Sequence, residues 1–221
     1  MGKFVNATAS DGHQLQVWMD GPEDATAGIV LVQEIFGVNN HIRNMCAKFA
    51  QQGYRVAAPA LFDRIERGIE LGYAGDDFQR ALGLMKQLSF DTALLDVEAA
   101  AGLLPEGPRG IVGYCYGGSV AFLAAGRPGL VKAAVGWYGG AIARVRDTRL
   151  LCPVQLHFGA LDKAIPLSDV DLIREAQPQA EIYVYQNAEH GFGCDERATY
   201  NAEAAALAQA RTDEFFRKHL V

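Results

Sequence analysis

Short apolar runs of strand length recur along this chain and alternate with stretches that have helical spacing. The runs are "GIVLV" (28–32), "YRVAAP" (54–59), "RGIVGY" (109–114), "VKAAVGWYG" (131–139), "CPVQLHFGA" (152–160) and "EIYVYQ" (181–186). Such runs suit strands buried on both faces, because a half-exposed strand would alternate with polar residues. Between them, "HIRNMCAKFAQQG" has helical spacing and a stop at Gly53, and "YGGSVAFLAAG" also reads as a helix. "DDFQRALGLMKQL" and "DTALLDVEAAAGLL" read as two helices separated near Asp91, an expected N-cap. "ATYNAEAAALAQARTDEFFRKHL" reads as a long final helix, and Asp11-Gly12 marks an amino-terminal hairpin. Residues 61–74 look irregular. Regular alternation of strand and helix predicts an α/β fold with a mainly parallel sheet and helices on both faces. The 221 residues suit one domain, 1–221, large enough to bury roughly 70% of the unfolded surface.

Several function classes are disfavoured by composition. A formal net charge of −6 argues against nucleic acid as a partner, since phosphate contacts need a basic face. A small anionic substrate needs only one or two arginines. No apolar run is long enough for a membrane span or a signal peptide. Cys46, Cys115, Cys152 and Cys194 form no C-x-x-C pair and no zinc spacing. The expectation is a reduced, cytoplasmic, soluble protein without metal, and a monomer by default.

In parallel sheets, ligands bind at the carboxyl ends of the strands, and here those ends carry unusual residues. The stretch "VGYCYGGS" puts Cys115 between Gly113 and Gly117, where a strand turns into a helix. A nucleophile on such a turn needs small neighbours, and the helix N-terminus favours a thiolate. A thiol nucleophile also needs a base, and the base an orienting acid. In α/β-hydrolases these follow in the order nucleophile, acid, histidine. Asp162 in "GALDKAIP" and His190 in "AEHGF" each follow a predicted strand, in that order.

The tetrahedral intermediate needs two backbone donors. Tyr116, after the nucleophile, and Ile35, in "QEIFG" after the first buried run, are the candidates. Glu34 in the same segment is read as a site residue that could shield the thiol, take its proton or cap the next helix. Rival residues have blander readings. His157 lies inside an apolar strand and reads as a satisfied core residue, and His13 and His41 have surface-like contexts. Asp169 and Asp171 read as solvated on a helix, and Ser119 falls inside the helix, off the turn tip.

Taken together, "SDGHQL", "VQEIFGVNNHIR", "QGYRVAAPALF", "VGYCYGGSVAFLAA", "VGWYGG", "GALDKAIP" and "AEHGF" resemble the dienelactone hydrolase (carboxymethylenebutenolidase) family over nearly the whole chain. The resemblance implies an α/β-hydrolase fold and a cysteine nucleophile, Cys115, that attacks a lactone carbonyl. It implies His190 and Asp162 as the other triad members, and Glu34 as the resting partner of the thiol. It implies a thioester intermediate, maleylacetate as product, and no cofactor. The family also holds the lactone carboxylate with two arginines. Arg80 falls where the first is expected; the second position is Cys194 here, and Arg197 is the nearest replacement. The family's aromatic wall near the first arginine is replaced by Leu84, Met85 and Gln87, and Phe36 and Tyr138 are the candidate pocket aromatics. The expected function is cysteine-dependent hydrolysis of an anionic lactone or ester. Hydrolysis of a different small ester and non-catalytic lactone binding are the alternatives.

Overall fold

The computed structural model describes residues 2–220. The chain forms two compact units, one up to Gly110 and one from Ile111 onward. In the first unit, β1 (Lys3–Thr8) and β2 (Gln14–Asp20) form the expected hairpin, antiparallel from Lys3↔Met19 to Thr8↔Gln14. Its turn has Gly12 at φ +86°, a left-handed conformation that glycine adopts without strain. On β2, Leu15, Val17 and Met19 point inward and alternate with partly exposed residues. β3 (Gly28–Val32) is buried at every position. α1 (Asn40–Gln51) and β4 (Arg55–Pro59) follow, and β4 pairs parallel with β3 and antiparallel with β2. The strand order in this unit is β1-β2-β4-β3.

α2 spans Gly75–Met85 and α3 spans Phe90–Ala101. The cap of α3 is Ser89, not Asp91: Ser89 is extended, and its hydroxyl accepts the Asp91 N–H at 3.2 Å. Asp91 instead sits in the first turn, where its negative charge suits the helix dipole. His41 is not on the surface. It lies in the first turn of α1 and is only 1% exposed.

Residues 61–64 form a short 3-10 turn that brings Arg64 over α3. Arg64 grips Asp96 with two hydrogen bonds, both 2.7 Å, and also reaches Asp11 at 2.8 Å. The Asp96 carboxylate is enclosed, and burial raises its pKa despite the guanidinium. Removing one partner of a buried pair leaves an uncompensated charge. Arg64→Leu is therefore expected to lower the unfolding free energy by about 3–5 kcal/mol in urea titrations. An unchanged midpoint would show that this pair contributes nothing.

In the second unit, β5 (Arg109–Tyr114) leads into α4 (Tyr116–Ala124). There follow β6 (Ala133–Trp137), β7 (Val154–Gly159), α5 (Leu167–Ala176), β8 (Glu181–Tyr185) and α6 (Ala202–Leu220). The order is β5-β6-β7-β8, with β6/β7 and β7/β8 parallel. Every residue of β6 and β7 is buried, as strands covered on both faces must be. α6 begins at Ala202, four residues later than its composition suggests, because Asn201 Oδ1 accepts the Ala204 N–H at 3.0 Å. Residues 191–200 are thereby released for the loop that follows β8. Among the described residues, no helix is long and apolar enough to cross a membrane.

Candidate active site

Cys115 is the single residue between the end of β5 and the start of α4. Its backbone sits at φ 54° and ψ −113°. Such a conformation costs on the order of 1–3 kcal/mol in a residue with a side chain, and persists only where the surroundings enforce it. The enforcement is visible. A Cβ at Gly113 would lie 1.9 Å from the Gly117 carbonyl oxygen, and one at Gly118 would lie 2.5 Å from the Trp137 carbonyl oxygen. Only hydrogen fits at either place. The Cys115 N–H donates to Trp137 O at 2.9 Å, and the Cys115 carbonyl accepts from Gly118 N–H at 3.0 Å. Ser119 faces away from this turn: it is buried, and its Oγ accepts the Ala141 N–H at 3.0 Å.

Asp162 lies in the turn after β7. Its Oδ1 accepts the N–H groups of Ala164 (2.8 Å) and Ile165 (3.2 Å), which fixes the plane of the carboxylate. Oδ2 is left for His190 Nδ1, 2.7 Å away. His190 sits in the loop after β8, and its Nε2 is 3.1 Å from Cys115 Sγ. The carboxylate can only accept, so Nδ1 carries a proton and Nε2 is the atom that exchanges one with sulfur. Burial is the largest single influence on His190 and disfavours its charge. Attraction to Cys115 and hydrogen bonds to Asp162 and Cys115 outweigh it, and the pKa is raised to about 10. The surroundings therefore favour the protonated His190 ring next to the Cys115 sulfur. Cys46 and Cys152 lack this setting: burial pushes the thiol of Cys152 up to about 11 and that of Cys46 still higher.

The other predicted residues fall in different settings. Tyr138 is buried at φ 38°, and its ring meets His190 edge-on, with 5.3 Å between centroids. Arg197 folds back over Gly191: a Cβ at Gly191 would lie 2.6 Å from the guanidinium carbon. Two successive turns bring it there, through Cys194 N–H to Gly191 O (3.0 Å) and Arg197 N–H to Cys194 O (3.1 Å). Buried Cys194 is thus the pivot of the path that returns Arg197 to the histidine. Tyr116 opens α4, so its N–H belongs to the first helical turn.

In the first unit, Glu34 and Ile35 are both buried in the segment after β3. Gln33 anchors that segment, accepting from Leu61 N–H (3.1 Å) and donating to the Glu34 carbonyl (3.3 Å). Phe36 is buried against Tyr73, with ring centroids 4.5 Å apart. Arg80 does not present a vacant guanidinium. It forms two hydrogen bonds with Glu66, 2.7 and 2.8 Å, and both side chains are about half exposed.

Sequence reading overlooked Phe192, which is fully buried, stacks on Trp137 and packs against Tyr138. Its place two residues after His190, in "HGF", was the available signal. It also overlooked Thr199, whose hydroxyl donates to the His190 carbonyl at 2.8 Å. No local pattern marks that contact.

Residues 15–220 match the model of the dienelactone hydrolase family. A carboxymethylenebutenolidase from Pseudomonas putida is 33% identical over 224 residues, which cover 96% of this chain and 94% of that protein. A crystal structure from Klebsiella pneumoniae, titled "Putative Dienelactone Hydrolase", superposes with a TM-score of 0.84 at 29% identity, covering 98% of this chain and 100% of that one. A dienelactone hydrolase structure from Anabaena variabilis, at 18% identity, superposes with a TM-score of 0.72 over 100% of this chain and 99% of that one, a likeness of fold. The fold is that of the α/β-hydrolases, as the alternation of strands and helices implies. A cysteine on a glycine-lined strand-to-helix turn, in a chain matched almost end to end by these proteins, leads to one assignment: the chain belongs to the dienelactone hydrolase family and is a hydrolase.

Proposed function

We propose that this protein hydrolyses a small lactone or ester by covalent cysteine catalysis, with an anionic dienelactone as the preferred substrate. The observation that carries the reading is the hydrogen-bonded series Cys115 Sγ, His190, Asp162, at 3.1 and 2.7 Å. The thiolate of Cys115 attacks the lactone carbonyl carbon, and the carbonyl electron pair moves onto oxygen. Backbone N–H groups of Tyr116 and Ile35 are the donors assigned to that oxyanion. The ring C–O bond then breaks, leaving a thioester on Cys115 and an enolate on the released arm. His190 passes its proton to the enolate and, now neutral, takes one from water; the hydroxide adds to the thioester, and the thiolate leaves. Protonation of the enolate gives maleylacetate. Asp162 holds the imidazole in the required tautomer throughout. Family membership and the likeness to carboxymethylenebutenolidases support the substrate class.

For the substrate carboxylate, the reading rests on Arg197, whose guanidinium lies against Gly191 next to the histidine. A bidentate guanidinium is the natural receptor for a carboxylate. Arg80 is engaged by Glu66, and that observation favours a second reading in which the substrate is a neutral ester. Turnover of a dienelactone beside a neutral aryl ester separates the two, measured for the wild type, Cys115→Ala and Arg197→Met. The expected result is preference for the dienelactone, with KM for it alone rising at least about tenfold in Arg197→Met. Equal effects on both substrates, or turnover of the aryl ester only, would remove the anionic substrate and leave the thiol chemistry.

A further inference from the structure

β7 carries a second histidine, His157, which is fully enclosed and hydrogen-bonded at both ring nitrogens. Nδ1 is 2.8 Å from the Tyr185 hydroxyl; Nε2 is 2.9 Å from Gln155 Oε1 and 3.2 Å from Thr212 Oγ1. Gln155 Nε2 donates to Glu181 Oε2 at 2.9 Å, so the amide oxygen faces the ring. An amide oxygen only accepts. Nε2 therefore carries the ring proton, and Nδ1 accepts from Tyr185. The Tyr185 oxygen accepts in turn from Arg211 Nη1 at 3.2 Å. Burial, and then repulsion from Arg211, hold the His157 pKa down near 3, so the ring is neutral at ordinary pH and keeps this one arrangement.

Thr212 joins this ring to the support of the nucleophile. Its hydroxyl oxygen accepts the Trp137 Nε1–H at 3.2 Å. The Trp137 carbonyl receives the Cys115 N–H at 2.9 Å, and the His157 carbonyl receives the Tyr138 N–H at 2.8 Å. Tyr138 rests edge-on against His190. Cys115 and Tyr138 are the non-glycine residues with positive φ among the described residues. Both strained positions thus hang on the end of β6, and His157 and Thr212 hold that end. A satisfied buried network of this kind enforces one geometry where the backbone alone would relax.

We infer that His157 and Thr212 are positioning residues, which act through Trp137 and Tyr138 to hold Cys115 and His190 in reactive register. Neither touches substrate. The inference rests on the reading of Cys115 as nucleophile and His190 as its base. The test uses Thr212→Val, which keeps the side-chain shape and removes the hydroxyl, and Thr212→Ser, which keeps the hydroxyl. With an aryl ester, kcat is expected to fall about 10- to 100-fold in Thr212→Val, with KM within about twofold, and to recover in Thr212→Ser. His157→Leu is expected to lower kcat at least as far; where it does not fold, the Thr212 pair decides. The His190 ring resonances, read by NMR, are expected to move in Thr212→Val and not in Thr212→Ser, whatever the substrate. A lowered Tm with kcat and His190 resonances unchanged in Thr212→Val overturns the inference. Failure of the underlying reading looks different: wild-type turnover would persist in Cys115→Ala.

Discussion

Cys115→Ala is expected to lower kcat about 10⁵-fold or more on any ester the wild type hydrolyses, with substrate binding retained. Alanine removes the atom that forms the covalent intermediate, and no neighbouring group can replace it. Ser119, the nearest other nucleophile in sequence, is buried and occupied by the Ala141 N–H. The same variant carries a second, independent signature. The raised pKa of His190, about 10, depends on attraction to the Cys115 sulfur and on Asp162, acting against burial. Deleting the sulfur leaves burial opposed by Asp162 alone, so the His190 pKa must fall. Titration of the His190 imidazole by NMR in both proteins measures this. The comparison reports how far the Cys115 sulfur sets the His190 pKa. An unmoved His190 would mean that no thiolate–imidazolium pair exists, whatever the kinetics show.

Gly113→Ala is the substitution with the next largest expected effect. The added Cβ would lie 1.9 Å from Gly117 O and 2.2 Å from Gly117 C, both backbone atoms of the first turn of α4. No rotamer relieves a clash with backbone, so either β5 or the start of α4 must shift. A shift of α4 changes the Cys115 φ and ψ and takes Sγ away from His190. Destabilisation of more than about 3 kcal/mol is expected, with activity lost even in the fraction that stays folded. Urea titration gives the first quantity, and kcat well below the unfolding midpoint gives the second. Wild-type stability in Gly113→Ala would show that this turn has slack, and the account of the strained Cys115 would fail with it.

Much of this architecture is legible in the sequence because its causes are local. "GIVLV" is a strand buried on both faces because no residue in it tolerates water, and β3 is buried at all five positions. The glycines around Cys115 announce a turn that excludes side chains, and the built geometry excludes them at Gly113 and Gly118. Asp162 and His190 are legible from their order and their places after strands, and the fold brings His190 to Cys115 and Asp162 to His190, each within hydrogen-bonding distance. Where local signals compete, the reading fails. Ser89 and Asp91 are both good caps, and only the backbone angles at Ser89 decide between them. His41 lies in a polar stretch, yet it faces inward on the first turn of α1.

By itself, then, the sequence determined the α/β class, the strands, the sharp turn at Cys115 and the chain order of its acid and histidine, since periodicity and steric demand act over a few residues. Tertiary structure alone decided which charged and polar groups meet. Arg80 is taken by Glu66, fourteen positions away, and Arg197 is returned to Gly191 by two turns that carry no composition signal. His157 reads as a satisfied core residue, but its strand does not name the partners that satisfy it. It gains partners only because β7 lies between β6 and β8 and under α6, which brings Tyr185 and Thr212, 28 and 55 residues away, to its two nitrogens. Hydrogen bonds are satisfied by proximity in space, and that proximity is set by strand order and helix packing.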